Sequence, residues 1–358
     1  MNNDEIIKDL LYKIENLKEN EDFNEILDIL EKYIKIYPNN IELLNELIYT
    51  HFKLDFTKLS IDNVFSLSRK VLNLNPNFPK SWNYYGLLNN YKSEYNKAIE
   101  CYKEAISIES KNALSWNSMG LAYNNLNYYR KAVECYKKAI EIDPEYASVW
   151  NNMGVTYHNL KKFETAIECY KQVIEINPQN APVWFKIGVI YDDLTKYENA
   201  IECYEKVLET DPGYASAWNK MGVAYYNLKN YREAIKCYQK AINIEKEDPL
   251  LWVNLGVMYI HLKIYGKASK YFKKAIKINP KIEGAWINLG VTYGKLKKDE
   301  SEFECYKKAI EIDPEYATAW YNMGEANLQL GNKTQAYKCF EKGNQIELLA
   351  EIDDNFYQ

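Results

Sequence analysis

Residues Trp150 to Pro178 read WNNMGVTYHNLKKFETAIECYKQVIEINP. Two apolar stripes run through this stretch. Trp150, Met153, Gly154 and Tyr157 fall at i, i+3, i+4 and i+7, and Ala166, Tyr170 and Val173 repeat the spacing further on. Each set therefore lines one face of a helix. Leu160 closes the first stripe. Asn177-Pro178 stops the second, because proline cannot continue a helix and pushes the residue before it out of the helical region. The stretch predicts two amphipathic helices, A and B, joined by a short turn.

Moving outward, the stretch recurs. The tryptophans are Trp82, Trp116, Trp150, Trp184, Trp218, Trp252, Trp286 and Trp320, each 34 residues after the last. A fixed period of this length marks a stacked structural repeat. With Trp as the fourth residue, repeats begin at 79, 113, 147, 181, 215, 249, 283 and 317. Position 8 is Gly in all of them, from Gly86 to Gly324. Position 20 is Ala in seven, position 24 is Tyr or Phe throughout, and position 32 is Pro in five, among them Pro144 and Pro314. The small residues at 8 and 20 let helices A and B approach closely, and Trp with the aromatic at 24 supplies apolar bulk around that contact.

These residues resemble the tetratricopeptide repeat, and the resemblance spans 79 to about 350 in eight consecutive repeats. It implies an all-α fold, a right-handed superhelical α–α solenoid of helix hairpins, with helices A lining the concave side. Before residue 79, Pro38 and Pro76 sit where position 32 of two earlier repeats would fall. Residues 1–78 are thus expected to form two divergent capping repeats, the second carrying about four extra residues near Leu54–Leu59. Residues 79–350 form the regular array. Residues 351–358 are expected to be a short, frayed acidic tail.

Composition narrows the function. The chain has 358 residues, a net charge of −5 and three arginines, Arg69, Arg130 and Arg232. A nucleic-acid binder needs a cationic footprint that this chain lacks in bulk. No apolar run approaches the length of a membrane span. The polar start MNNDEIIKDLLYKIENLKEN carries no signal-peptide core, so a cytoplasmic protein is expected. Cys101, Cys135, Cys169, Cys203, Cys237, Cys305 and Cys339 all occupy position 23. Packed helices lie about 8–10 Å apart, too far for disulfides between them, so these thiols read as small apolar side chains. His158 and His261 lie three repeats apart and cannot share a centre, and groove-lining or surface positions are expected for the histidines. Neither a metal, a cofactor nor a catalytic constellation is expected, and the chain reads as non-enzymatic.

On the resemblance, positions 2, 5, 6, 9, 12 and 13 face the groove. Position 5 gives Asn83, Asn117, Asn151 and Asn219, and position 6 gives Asn152, Asn254, Asn288 and Asn322. Lys186 and Lys220 join them at position 6, with Asp192 and Asp193 nearby. Position 9 is an aliphatic row: Leu87, Leu121, Val155, Val189, Val223, Val257 and Val291. An asparagine amide both donates and accepts, so a row of them can pair with a peptide backbone. The row is similar to the asparagine ladder in the repeat superhelix of nucleocytoplasmic O-GlcNAc transferases. The carboxylate clamp of cochaperone repeats is absent, because position 5 is never Lys, position 9 never Asn and position 6 never Arg.

The leading expectation is a scaffold that holds an extended peptide or partner helix in the concave groove. The alternative is a self-assembling structural scaffold, a homo-oligomer joined through its end repeats. One repeat departs from the pattern: Asp299 replaces the aromatic at position 17 and Glu302 the alanine at position 20. A charge at that tight contact predicts local loosening or a hinge.

Overall fold

The computed structural model describes residues 3–55 and 61–356, and every regular element among them is an α-helix. The helices come as hairpins. In the N-terminal half (Met1–Pro178) they are α1 (Asn3–Glu19) with α2 (Phe23–Ile36), α3 (Ile41–Lys53) with α4 (Ile61–Leu74), α5 (Pro79–Tyr91) with α6 (Tyr95–Ile108), α7 (Ala113–Asn125) with α8 (Tyr129–Ile142), and α9 (Ala147–Asn159) with α10 (Phe163–Ile176). In the C-terminal half (Gln179–Gln358) they are α11 (Ala181–Asp193) with α12 (Tyr197–Thr210), α13 (Ala215–Asn227) with α14 (Tyr231–Ile244), α15 (Pro249–His261) with α16 (Tyr265–Ile278), α17 (Glu283–Lys295) with α18 (Asp299–Ile312), and α19 (Ala317–Gln329) with α20 (Lys333–Phe356). Odd-numbered helices are the helices A and even-numbered ones the helices B.

From α5 onward each hairpin closes on one contact. The aromatic at position 24 is wholly buried in seven repeats, where Tyr102, Tyr136, Tyr170, Tyr204, Tyr238, Phe272 and Tyr306 are at most 2% exposed, and Phe340 of the last repeat is half-buried. The ring lies against the glycine of position 8. A β-carbon added to Gly154 would sit 2.6 Å from Tyr170 Cε1, and one on Gly290 would sit 2.5 Å from Tyr306 Cε1. The glycine is therefore the socket for the ring.

Two further devices repeat. The indole N–H of position 4 donates to a backbone carbonyl six residues earlier, as Trp150 Nε1 to Pro144 O at 2.9 Å and Trp286 Nε1 to Pro280 O at 2.9 Å. The tryptophan thus pins helix A to the loop that precedes it, a role beyond apolar bulk. In the turn from A to B, position 15 adopts a left-handed backbone: Ser93, Asn127, Lys161, Thr195, Lys229, Lys263 and Lys297 have φ between 55° and 60°, and only the last repeat places glycine there, Gly331. Asn112, Asn180, Asn230 and Asp248 cap the helices that follow them, each side chain accepting a backbone N–H of the first turn.

The ends depart from the regular repeats. α1–α4 form two hairpins whose core includes Leu10, Ile14, Ile26, Leu30 and Leu43. The insertion expected near Leu54–Leu59 falls largely outside the described residues. At the other end α20 continues to Phe356, past the point where a frayed tail was expected to begin. Tyr321 at position 5 of the last repeat donates to Asn344 Oδ1 at 2.8 Å and Glu347 Oε2 at 2.9 Å in that extension. A β-carbon on Gly343 would lie 2.9 Å from the Tyr321 ring, which explains glycine at position 27, where the other seven regular repeats carry Ala or Val.

The repeat with the misplaced acid does not open. Glu302 is 8% exposed and accepts a hydrogen bond from Tyr306 OH at 3.1 Å. The space comes from Gly294 across the hairpin, where a β-carbon would lie 2.6 Å from both carboxylate oxygens. α17 and α18 pack as the other hairpins do.

Candidate binding groove

Within each half, successive helices A approach one another directly, as α3, α5, α7 and α9 do in the first and α15, α17 and α19 in the second. Successive helices B meet chiefly through the helix A between them. Helices A therefore form the closely spaced inner layer of each half, where the groove was expected.

The asparagine row is paired rather than loose. Asn152 Nδ2 donates to Asn117 Oδ1 at 3.1 Å, and Asn254 Nδ2 donates to Asn219 Oδ1 at 3.1 Å. Position 5 of one repeat thus meets position 6 of the next. Asn151 Nδ2 donates to Asn152 Oδ1 at 3.5 Å, and Asn288 Nδ2 turns back to Gly284 O at 2.8 Å. Asn322 is half-buried. Asn83 is 1% exposed, and neither its Oδ1 nor its Nδ2 has a hydrogen-bond partner. The residue opposite it in the next repeat is Ser118, too short to complete an amide pair. The aliphatic row at position 9 is half-buried throughout, and Val223 and Val257 pack against the core.

The charged members of the groove gather in the C-terminal half. Lys186 and Lys220 are half-buried, and burial pulls the Lys186 ammonium below the usual lysine range. Asp192 Oδ2 accepts a hydrogen bond from Tyr204 OH at 2.6 Å, while Oδ1 is shielded and has no partner. Burial pushes the Asp192 carboxyl above its ordinary range, and the Tyr204 hydrogen bond and the Lys220 charge pull against it. Further along, Tyr226 OH meets His261 Nε2 at 3.2 Å, and the Tyr231 ring stacks on His261 with centroids 5.0 Å apart.

His261 is exposed and His158 half-buried, whereas His51 is 2% exposed, inside α3 rather than on a groove or surface. The cysteines are all buried and unbridged, and burial pushes Cys101, Cys135, Cys169, Cys237 and Cys305 up to about 12. At neutral pH these thiols hold no appreciable thiolate. Among the described residues, no group of three or more His, Cys, Asp or Glu could hold a metal ion, and no helix is long and apolar enough to cross a membrane.

Family models match along these hairpins. Models described as "Tetratricopeptide repeat" match residues 147–180, 215–248 and 249–282, as well as 169–202 and 283–316. A model described as "TPR repeat" matches 86–127, 123–161, 190–229 and 303–331. No curated protein matches the chain. Similar solved structures include MamA, at 27% identity and a TM-score of 0.43 over 45% of this chain and 94% of that one. Another is YrrB, titled "a TPR protein with an unusual peptide-binding site", at 21% identity and a TM-score of 0.44 over 55% and 97%. A third is the Cut9–Hcn1 hetero-tetramer of the APC/C, at 18% identity and a TM-score of 0.47 over 78% and 55%. Between them the family models run without a break from residue 86 to residue 331, along the hairpins just described: the chain belongs to the tetratricopeptide repeat family.

Proposed function

We propose that the chain is a non-enzymatic scaffold whose helices A hold an extended segment of a protein or peptide partner. The observation that carries this is the cross-repeat pairing of Asn117 with Asn152 and of Asn219 with Asn254. Each pair uses one N–H and one lone pair, and an amide has two of each to give. The pairing fixes the amide planes, so a backbone laid across either pair meets donors and acceptors already oriented, which lowers the entropic cost of binding. The half-buried aliphatic row beside them offers apolar contact without selecting a particular side chain. Asp192 adds a carboxylate and Lys220 an ammonium, polar anchors beside the amides.

The pairing also supplies a selective variant. Asn219 is the acceptor of its pair, so Asn219→Asp keeps the bond from Asn254 while removing the N–H donors. Combined with Asn322→Asp, it should lower partner capture from an extract of the source cells while the melting temperature stays close to wild type. Undiminished capture at equal loading would show that the asparagines serve packing between repeats and not a ligand.

A further inference from the structure

The repeat that begins at 249 carries an unusual outer helix. α16 reads YGKASKYFKKAIKI, with five lysines and no acid. Its neighbour α14 adds Arg232, Lys236 and Lys240 against Glu233 alone. Two adjacent helices B thus hold eight basic residues and one acid in a chain whose net charge is −5. Tyr271 stands here where seven other repeats have Cys at position 23, and it stacks on Trp252 with centroids 5.9 Å apart.

Between α14 and α16 lies a cleft of about 700 Å³. Trp252, Tyr271 and Ile242 form its apolar floor, and Lys270, Lys274 and Lys277 its rim. The grooves on either side balance their charge internally: Glu205, Glu209 and Glu233 face Lys236 and Lys240 in one, and Glu300 and Glu304 face Lys273 in the other. The cleft between them has no carboxylate in its lining.

The complementary surface is on the same chain. Residues 299–358 contain thirteen acids against five lysines. α20 runs on beyond its hairpin, and Leu348 and Leu349 there are 59% and 63% exposed. In the sequence Glu347, Glu351 and Asp354 fall at i, i+4 and i+7, the same spacing as Lys270, Lys274 and Lys277 on α16. On a helix either set spans about 10 Å. A lysine-rimmed apolar cleft and an acidic stretch with exposed leucines match in charge and in apolar content.

We propose that the cleft between α14 and α16 receives the acidic C-terminal segment, residues 344–358, of a second copy of this chain. The contact is head-to-tail, so it closes into a ring or propagates into a filament. It is independent of the groove reading, since the cleft takes only Trp252 and Leu255 from helix α15 and none of the groove positions 5, 6 and 9.

The test is sedimentation velocity of the full chain with two charge-reversed variants. One carries Lys270→Glu, Lys273→Glu, Lys274→Glu and Lys277→Glu; the other carries Glu347→Lys, Glu351→Lys, Asp353→Lys and Asp354→Lys. The wild type should gain mass with concentration and lose it between about 0.1 M and about 1 M NaCl, as the screening length falls from about 10 Å to about 3 Å. Each variant alone should be monomeric, and an equimolar mixture should associate again, because both contacts are then complementary. A wild type that stays monomeric, or association that survives either set of reversals, overturns the proposal. So does binding of a labelled oligouridylate to the wild type that the lysine variant loses without any change in self-association, which would assign the cleft to nucleic acid.

Discussion

Gly222→Ala places a methyl group where the structure has none to spare. Its β-carbon would lie 2.7 Å from Tyr238 Cε1 and 3.0 Å from Cδ1 and Cζ, against about 3.5–4.0 Å for ordinary carbon contacts. The ring edge would have to retreat by roughly 1 Å, yet Tyr238 is 2% exposed and packed within the core. Two opposing effects decide the outcome. Alanine in a helix interior gains about 0.5–1 kcal/mol over glycine. Overpacking a filled core costs about 1–3 kcal/mol. The net expectation is destabilisation by about 0.5–2 kcal/mol, a melting point lower by a few degrees for a folding unit of this size. Gly266→Ala and Gly284→Ala are the controls, since a β-carbon at either meets nothing within 4 Å, and both should be neutral or stabilising. Guanidinium unfolding followed by circular dichroism gives the midpoints on one scale. Gly222→Ala with a midpoint equal to or above that of the controls would refute the socket argument.

Asn83→Val should raise the melting temperature, because it removes two buried polar atoms without partners from a position where another repeat carries Val253. Asn117→Val should lower it, because it strands Asn152; each effect is about 1–3 kcal/mol, and shifts of the same sign in both would contradict the pairing. Burial pushes the Glu302 carboxyl above 4.5, with the Tyr306 hydrogen bond opposing and Asp299 reinforcing the rise. The folded chain therefore keeps a proton that the unfolded chain has released, and stability falls as pH climbs from 4.5 through the raised value. Glu302→Gln should be more stable than wild type at pH about 7 and lose that advantage toward pH about 4, and a gap independent of pH would dismiss the mechanism. Thr195 holds φ at 57°, a strained conformation for a β-branched residue, so Thr195→Asn should stabilise by about 1 kcal/mol, measured as a shift in denaturation midpoint; Lys161→Asn should gain less.

The fold was legible because one period organises everything. Trp, Gly, Ala and the position-24 aromatic recur at fixed offsets, and each offset maps to one side of a helix, so the hairpins could be read residue by residue; that the position-24 ring itself seats on the position-8 glycine, and is not merely bulk around a contact of small residues, was not. The acid at 302 was legible as an anomaly, but its accommodation was not. The clue was Gly294, the single glycine at position 12, and it gains meaning only once the two residues are known to face each other across the hairpin. The asparagine row was legible as composition and not as pairing. Side chains at positions 5 and 6 were assigned to the same groove, but which of them meet depends on the stagger between neighbouring hairpins. A separation of 35 residues links Asn117 to Asn152 and Asn219 to Asn254, and Asn83 at the same separation finds serine. The tryptophan N–H was missed for a similar reason, since its acceptor lies in a loop whose path follows from packing and not from periodicity.

Whether helices A carry the binding surface can be read by site-specific photo-crosslinking in an extract of the source cells. Benzophenone side chains would be placed one at a time at Asn159, Val223 and Asn227 on helices A, and at Glu141 and Lys206 on helices B. Discrete crosslinked protein bands are expected from the helix A positions, and none of them from the helix B positions. Discrete crosslinked bands from the helix B positions, with the helix A positions silent, would overturn that assignment.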